Sequence, residues 1–339
     1  MSTLYLTEQR AVVQKDGEVI VVRVPEDRET GQPARKVDVP MLKIDRVVVI
    51  GNVTLTMPAI HAFLDHQIDV CLLSYYGRFR GRLSGEFSKN APLRIAQHRA
   101  AADPERTLDL ARRFVVGKLT NLRTGLLRSN RKTDDLSIAD AAARLKAGLD
   151  NAEGAEAIDQ LRGIEGAASA AYFGVFDNLI RADGFHFERR TRRPPTDPVN
   201  ALLSFGYALL AADAGSAVNV VGMDPYVGFL HVAVYGRPAL ALDLMEEFRP
   251  LIVDSVVLRM LNNHELKPDD FVDELGSYRL TDAARRRFLQ RYEERLTDEI
   301  AHPTFGYKAT YRRCLELQAR LLAKALTGDI PDYPEFITR

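Results

Sequence analysis

Cysteine is scarce in this sequence of 339 residues, and tryptophan is absent. Cys71 and Cys314 are the only two cysteines and lie far apart, so neither a disulfide framework nor a cysteine zinc site is expected. No apolar run approaches the ~20 residues that a membrane-spanning helix needs. The first residues lack the basic start and the apolar core of a signal peptide. These absences predict a cytoplasmic protein that does not cross a membrane.

The sequence also has no net charge, because 46 basic residues balance 46 acidic ones, but its positive charges are clustered. Between Arg78 and Lys132 there are fourteen lysines and arginines and only four acidic residues. Phosphate binding requires local rather than global positive potential. Solvated helix faces are the alternative interpretation for residues 105–132. The predicted DNA-binding residues are Arg78, Arg80, Arg82, Arg189, Arg190, Arg192 and Arg193.

The first part of the chain has the patterns of strands. Residues 12–24 predict two strands joined at Asp16-Gly17, which is a strong hairpin signal. The run Arg46–Ile50 predicts a buried strand. Residues 56–66 predict a short helix, with Thr56 as its cap and Pro58 in its first turn. We therefore predict a small, mostly-β domain over residues 1–92.

Beyond residue 92, apolar residues recur at helical spacing. The predicted helices cover residues 93–131, 139–149, 155–182, 240–262, 281–300 and 309–326. Asp197-Pro198 marks the sharp start of another helix, with an aspartate cap and proline at the first helical position. We predict an all-helical domain over residues 93–339, with a loop around residues 183–196. The predicted fold class is α+β, with the β-rich domain first.

The segment from residue 222 to residue 250 combines a histidine with acidic residues. His231 ends a glycine-containing turn, and Asp243, Glu246 and Glu247 come early in the helix that follows. Positions three and four residues apart lie on one helix face. A histidine that faces clustered carboxylates is typical of a divalent-metal site. This segment is therefore the first candidate for catalytic chemistry.

Glu165 is the best candidate for a further ligand. It lies in a predicted helix rich in small residues, and Leu161, Ala168 and Tyr172 share its face. A carboxylate on so apolar a face is costly to bury unless it is paired or metal-bound. The alternative is a solvated Glu165 paired with Arg162, three residues before it.

Together these segments resemble the CRISPR-associated adaptation endonuclease, the integrase subunit of spacer acquisition (the Cas-one family). The resemblance covers nearly the whole chain. It rests on the helix of Glu165, on the turn Asp-Pro-Tyr-Val-Gly-Phe-Leu-His that ends at His231, and on Leu-Asp-Leu-Met-Glu-Glu-Phe-Arg-Pro, which ends at Pro250. It implies that Glu165, His231 and Glu246 are the catalytic metal ligands. Asp243 is the reserve for Glu246, because relatives differ at these acidic positions.

Three further residues lie in segments that resemble the family or near the predicted ligands. Asn200 falls in one such segment, and an interior amide that satisfies a neighbouring backbone is its alternative role. Ser169 and Tyr172 lie one and two turns from Glu165, where we expect packing or substrate contact. No side chain is an obvious covalent nucleophile.

The resemblance implies a metal-dependent DNA endonuclease and integrase that inserts foreign DNA fragments into a CRISPR array by phosphoryl transfer from a 3′-hydroxyl. Mixed oxygen and nitrogen ligation suits Mg²⁺ or Mn²⁺. The implied partners are double-stranded and branched DNA, a second copy of the chain paired through the β domain, and a small CRISPR-associated partner dimer.

Two other classes of function stay open on the sequence. A metal-dependent phosphodiesterase acting on small substrates would need the ligand set but not the basic clusters. A non-catalytic nucleic-acid-binding protein would need the basic clusters but not the ligand set.

Overall fold

The computed structural model describes residues 2–26, 33–86, 88–131 and 133–338, and the chain divides into two compact units, Met1–Phe87 and Ser88–Arg339. The described part of the first unit has two four-stranded sheets, ordered β1-β5-β7-β8 and β4-β3-β2-β6, and one α-helix. Its elements are β1 (Thr3–Leu6), β2 (Val12–Asp16), β3 (Val19–Val24), β4 (Arg35–Pro40), β5 (Arg46–Ile50), β6 (Thr54–Leu55), α1 (Met57–Asp65), β7 (Asp69–Leu73) and β8 (Phe79–Leu83).

The hairpin predicted at Asp16-Gly17 is confirmed. Strand β2 pairs antiparallel with β3, and Asp16 lies opposite Val19, so Gly17 and Glu18 form a two-residue turn. Gly17 has a φ of 56°, a left-handed conformation that glycine adopts without a Cβ clash.

The buried strand predicted at Arg46–Ile50 is also confirmed, since every residue of β5 is buried. The strand lies between β1 and β7 and runs parallel to both, which is the position in which a strand is covered on all sides. Thr56 lies at the N-cap of α1 but makes no capping hydrogen bond. Its hydroxyl donates instead to the Val13 carbonyl, at 3.0 Å.

One residue of the predicted DNA-binding set is buried in this unit. The Arg82 side chain is 9% exposed, and its Nε lies 3.1 Å from Asp69 Oδ1. Burial lowers the pKa of Arg82, although the Asp69 charge opposes this. Asp69 also pairs with Arg46, at 3.5 Å, so both arginines are engaged within the unit. This position argues against a DNA contact for Arg82, whereas Arg78 and Arg80 are exposed.

The second unit is mostly helical, in agreement with the predicted α+β class. Its helices are α2 (Ala91–Ala102), α3 (Pro104–Asn130), α4 (Leu136–Glu153), α5 (Ile158–Gly174), α6 (Pro198–Val221), α7 (Ala239–Met245), α8 (Ser255–Asn262), α9 (Asp282–Thr297) and α10 (Tyr311–Thr327). It is not entirely helical as predicted, because two short antiparallel ladders occur. They pair β9 (Phe271–Glu274) with β10 (Ser277–Leu280), and β11 (Glu299–Ala301) with β12 (Lys308–Thr310).

The single helix predicted over residues 93–131 is in fact two helices, α2 and α3. Asp103 Oδ1 caps the second by accepting from the amides of Glu105 and Arg106, and Pro104 occupies its first turn. The same Asp-Pro signal correctly predicted the start of α6, where Asp197 accepts from a backbone amide. An aspartate followed by proline therefore marks a helix start in both places.

The helix predicted over residues 240–262 is interrupted. Helix α7 ends at Met245, and a π-helical turn, Pro250–Asp254, leads into α8. Pro250 has no backbone N–H to donate, so the regular α-helical ladder cannot continue through it.

Helix α6 is apolar along most of its length. By length and composition it could cross a membrane, but 78% of its most apolar window is buried inside the protein, as expected of a core helix. It packs against α7 and α10, while α3 packs against α4 and α5. These contacts bring α3, α5 and the segment after α7 together around the candidate site.

Candidate metal centre

The carboxylates of Glu165 and Glu246 meet at the ammonium group of Lys118. The Lys118 side chain extends from α3 and is 7% exposed. Its Nζ contacts Glu165 Oε1 and lies 2.7 Å from Glu246 Oε2. Helix α3, helix α5 and the segment after α7 thus each contribute one charged side chain to the same site.

Glu165 is held in this site by its own helix. Ser169, one turn further along α5, donates its hydroxyl to Glu165 Oε1 at 2.8 Å. Arg162 pairs with Asp159 at 2.9 Å, so the alternative of a Glu165–Arg162 pair is wrong. A quarter of the Glu165 side chain, 25%, stays exposed, which leaves it accessible from solvent.

Asp243 orients His231. Its Oδ1 accepts from the His231 backbone amide at 2.9 Å and lies 2.6 Å from the ring Nδ1. Its Oδ2 accepts from the amides of Phe229 and Leu230 at 2.6 and 3.1 Å. Gly228 permits this approach, since a Cβ there would lie 2.6 Å from Asp243 Oδ2. Both Asp243 oxygens are thus engaged, which favours Glu246 over Asp243 as the ligand.

The contact with Asp243 also decides which ring nitrogen of His231 is available. When Nδ1–H donates to the Asp243 carboxylate, Nε2 carries the free lone pair. Nε2 lies 3.7 Å from Glu246 Oε1. The imidazole therefore presents an acceptor nitrogen to the same place as the two carboxylates.

Glu246 is an ionised carboxylate inside the protein, where its side chain is 3% exposed. Burial alone would raise its pKa, but the charges of Arg249 and Lys118 outweigh burial and lower the pKa to about 2. Arg249 Nη2 lies 3.1 Å from Oε1. The buried Oε2 lies 2.7 Å from Lys118 Nζ, so each carboxylate oxygen of Glu246 has a cation beside it.

The donor set fits a divalent cation. Glu165 and Glu246 supply carboxylate oxygens and His231 supplies Nε2, a mixed oxygen and nitrogen set. Among the residues described, however, no three His, Cys, Asp or Glu side chains are grouped closely enough to hold a metal as they stand. Lys118 lies between the two carboxylates.

Sequence reasoning missed Lys118, although a signal for it exists. Lys118 lies three residues after Val115 and four before Leu122, both buried on the inner face of α3. Positions at these spacings share a helix face. A lysine there is costly to bury without anionic partners, so the pattern indicates that carboxylates converge on it.

A buried network lies behind the site and connects its two carboxylate-bearing segments. Asp254 accepts from the hydroxyls of Tyr172, on the helix of Glu165, at 3.0 Å and of Tyr207 at 2.5 Å. The Arg249 guanidinium lies 4.8 Å from the centre of the Tyr207 ring. Burial raises the pKa of Asp254 to about 6, although the hydrogen bonds from the tyrosines oppose this.

Arg190 belongs to this buried region and not to an exposed basic surface. Its guanidinium donates to Asn200 Oδ1 at 2.7 Å and to Ser204 Oγ at 3.1 Å. Burial lowers its pKa to about 10. The other arginines of the predicted cluster, Arg189, Arg192 and Arg193, are exposed.

Asn200 is fully buried and satisfies a neighbouring backbone. Its Nδ2 donates to the Arg189 carbonyl at 2.8 Å, and its Oδ1 accepts from the Thr191 amide at 2.9 Å. These contacts agree with the structural alternative that the sequence left open for this residue.

Glu247, the third acid of the cluster, faces away from the site. Its Oε2 accepts from the Tyr333 hydroxyl at 2.6 Å, and its Oε1 accepts from the Phe336 amide at 3.0 Å. Asn121 Nδ2 donates to the carbonyls of Glu247 and Phe336 at 2.9 and 2.7 Å. These hydrogen bonds hold the C-terminal segment, residues 333–336, against the Glu247 side of this turn.

The family model described as CRISPR associated protein Cas1 matches residues 4–294. A CRISPR-associated exonuclease Cas4/endonuclease Cas1 fusion of Geobacter sulfurreducens is 44% identical over 99% of this chain and 60% of the fusion, so this chain spans about 60% of that protein's length. A CRISPR-associated endonuclease Cas1 of Thermus thermophilus is 40% identical over 100% of this chain and 98% of the relative. A solved Cas6-RT-Cas1–Cas2 complex is 26% identical with a TM-score of 0.80, over 99% of this chain and 36% of that one.

Proposed function

Since this chain belongs to the Cas1 family of CRISPR-associated proteins, we propose that it is a metal-dependent DNA endonuclease and integrase that joins incoming DNA fragments to a CRISPR array. The observation that carries the proposal is that Glu165 and Glu246 converge on Lys118 while His231 Nε2 lies 3.7 Å from Glu246 Oε1. The names of the relatives, which are CRISPR-associated endonucleases, support the class of activity.

We assign the metal ligands to Glu165, His231 and Glu246. The low pKa of Glu246, about 2, keeps this carboxylate ionised. The mixed donor set suits Mg²⁺ or Mn²⁺, and the imidazole nitrogen favours Mn²⁺. A cation bound there would stabilise the negative charge that develops on the reacting phosphate.

The other residues of the site support these three. Asp243 holds the His231 ring so that Nε2 points to the site, and Ser169 holds Glu165. Arg249 and Lys118 keep positive charge beside Glu246. In the proposed strand transfer, the 3′-oxygen of the fragment bonds to phosphorus while the bond from phosphorus to the leaving 3′-oxygen breaks. The attacking hydroxyl releases its proton to solvent, and the leaving oxygen takes one up; water in place of the hydroxyl gives hydrolysis.

We propose that the exposed arginines contact DNA phosphates. Arg78 and Arg80 belong to the first unit, and Arg189, Arg192 and Arg193 belong to the second. Arginine pairs well with phosphate oxygens because its guanidinium donates two parallel hydrogen bonds. The proposed nucleic-acid partners are double-stranded and branched DNA.

The proposed assembly contains more than one copy of the chain. Inserting a duplex fragment requires two strand transfers, one on each strand, and a two-fold assembly supplies paired sites. Exposed β4 is an edge strand of its sheet, and unpaired strand edges favour strand addition, so we place the homodimer contact in the β-rich unit. One similar solved structure is a Cas6-RT-Cas1–Cas2 complex, which supports Cas2 as a partner, and we propose that this partner is a small dimer.

Strand transfer of a labelled duplex into branched DNA tests the proposed function. Glu165→Gln should reduce Mn²⁺-dependent transfer at least about 100-fold, because an amide is a poor metal ligand. Asp159→Asn is the matched control, since Asp159 lies on the same helix with an 88% exposed side chain. Folded Glu165→Gln with normal transfer would contradict the assignment.

The same preparations separate the two other classes of function. Turnover of a small phosphodiester without transfer on DNA would indicate a small-molecule phosphodiesterase. Salt-dependent DNA binding without any metal-dependent chemistry would indicate a non-catalytic binding protein.

A further inference from the structure

Lys118 lies between Glu165 and Glu246, two of the residues that we assign to the metal. Its Nζ contacts Glu165 Oε1 and is 2.7 Å from Glu246 Oε2, and its side chain is 7% exposed. The ammonium therefore balances charge on both carboxylates, and Arg249 adds a second cation beside Glu246.

We propose that Lys118 is a built-in counter-ion that competes with the divalent cation for Glu165 and Glu246 and so sets the metal affinity of the site. This inference rests on the proposed function. In the metal-free protein Lys118 holds the two carboxylates together, and it moves aside when both carboxylates bind one divalent ion.

Competition between Lys118 and the divalent ion follows from electrostatics. Two carboxylates that point at one position repel each other, and a buried carboxylate is costly without a neighbouring cation. Lys118 removes both penalties for Glu165 and Glu246. A divalent ion placed between the same oxygens would lie next to the ammonium and be repelled by it. Every favourable contact that Lys118 makes in the metal-free site therefore counts against metal binding.

Geometry supports the competition as well. Lys118 Nζ contacts Glu165 Oε1 and lies 2.7 Å from Glu246 Oε2, so the ammonium occupies the space between these two carboxylates. A metal held by both carboxylates would require Lys118 to leave this position.

Metal titration of charge variants tests the proposal. Mn²⁺ binding, measured by electron paramagnetic resonance, should be at least about tenfold tighter in Lys118→Met than in the wild type, because the competing charge is gone. Lys118→Arg keeps that charge and should not bind more tightly than the wild type. Arg113→Met is the matched control, because it removes a cation from the same helix. The partners of Arg113 are Glu335 and Asp332, which lie outside the proposed ligand set. The Kd of this control variant for Mn²⁺ should stay within about twofold of the wild-type value.

Thermal unfolding gives a second measurement that does not depend on activity. Without metal, Lys118→Met should unfold at a lower temperature than the wild type, because Glu165 and Glu246 lose their counter-ion. Saturating Mn²⁺ should raise its unfolding midpoint by more than it raises that of the wild type, since tighter binding stabilises the folded state more.

The outcomes separate this inference from the proposed function. Equal Mn²⁺ binding by the wild type and Glu246→Gln would overturn the metal site and the inference with it. Binding that Glu246→Gln loses, but that Lys118→Met shows equally or more weakly than the wild type, would overturn the inference alone. If Lys118→Met does not fold, Lys118→Gln replaces it. If both stay unfolded with and without Mn²⁺, Lys118 is a structural cation and the inference is wrong.

Discussion

Glu246 and Glu247 are neighbours in the chain and are both almost fully buried, at 3% and 0% exposure, yet their surroundings are opposite. Burial raises the pKa of each carboxyl. Around Glu246, Arg249 and Lys118 outweigh burial and lower the pKa to about 2. Around Glu247 the hydrogen-bond partners are the neutral Tyr333 hydroxyl and the Phe336 amide, and burial raises the pKa to about 8. Glu246 therefore lies among charged groups, whereas Glu247 is held by neutral hydrogen-bond donors.

Two adjacent residues of α3, Gly117 and Lys118, face the two glutamates. Lys118 faces Glu246 and supplies the charge that keeps it ionised. Gly117 faces Glu247, and a Cβ at this position would lie 2.6 Å from Glu247 Oε1. Burial alone therefore does not make a carboxylate a metal ligand. A neighbouring cation keeps Glu246 anionic, whereas close packing against neutral donors favours the protonated form of Glu247.

Substitution of Glu246 should have the largest effect on activity. Glu246→Gln should lower strand transfer at least about 100-fold, equivalent to about 3 kcal/mol of transition-state stabilisation. Glu247→Gln should stay within about threefold of the wild type, since an amide replaces a carboxyl whose raised pKa already favours the neutral form. Single-turnover assays of both variants at saturating Mn²⁺ measure the difference. Equal losses in the two would mean that the turn acts as one unit.

Substitution of Glu247 should instead lower the stability of the fold. Glu247→Ala should lower the free energy of unfolding by about 3 kcal/mol, because the Tyr333 hydroxyl and the Phe336 amide lose their buried acceptor. Tyr333→Phe removes only one donor and should cost about 1 kcal/mol. Urea denaturation of the metal-free proteins measures both. A Glu247→Ala variant as stable as the wild type would show that the C-terminal segment contributes little there.

The buried network behind the site should add a pH dependence to stability. Asp254 faces Tyr172, Tyr207, Arg249 and Arg190, and burial raises its pKa from 3.8 to about 6. The folded protein therefore holds this proton more tightly than the unfolded chain. The resulting stabilisation is complete below about pH 4 and is lost as the pH rises through about 6.

Asp254→Asn should remove this dependence, because an amide does not titrate. Relative to the variant, wild-type stability should fall by about 2 kcal/mol between pH 4 and pH 7, below the upper limit of about 3 kcal/mol that the two pKa values set. Chemical denaturation at several pH values measures the difference between the two proteins. A difference that stays constant or grows with pH would contradict the prediction.

Substitution of an exposed arginine should have the smallest effect, a small loss of DNA affinity. These arginines are not buried, so solvent screens their charges, unlike those around Glu246. Arg192→Ala should weaken binding to every duplex about threefold and reduce the salt dependence by about one counterion. Arg144→Ala is the matched control, since Arg144 is exposed and pairs with Asp140 on α4. Binding isotherms at several salt concentrations measure the slope, and identical slopes for the two variants would argue against a phosphate contact.

Local sequence patterns predicted much of this protein because local physics produces those features. The glycine turn at Asp16-Gly17, the apolar run of β5 and the Asp-Pro start of α6 depend only on residues close in the chain. Where predictions failed, a local signal had been overlooked or was weak. Asp103-Pro104 splits a helix, and the short ladders β9–β10 and β11–β12 carry little pattern of their own.

The sequence by itself determined which residue types were available for a site: a histidine after a glycine turn, an acidic cluster, and a glutamate among small residues. Only the tertiary structure decided their roles. In the folded protein Asp243 contacts His231, Glu246 contacts Lys118, and Glu247 contacts Tyr333 of the C-terminal segment. The physical reason is that each role depends on which partner lies within a few ångströms, and those partners come from helices far apart in the chain. Their packing is set by the whole core, so no local pattern around the acids records it.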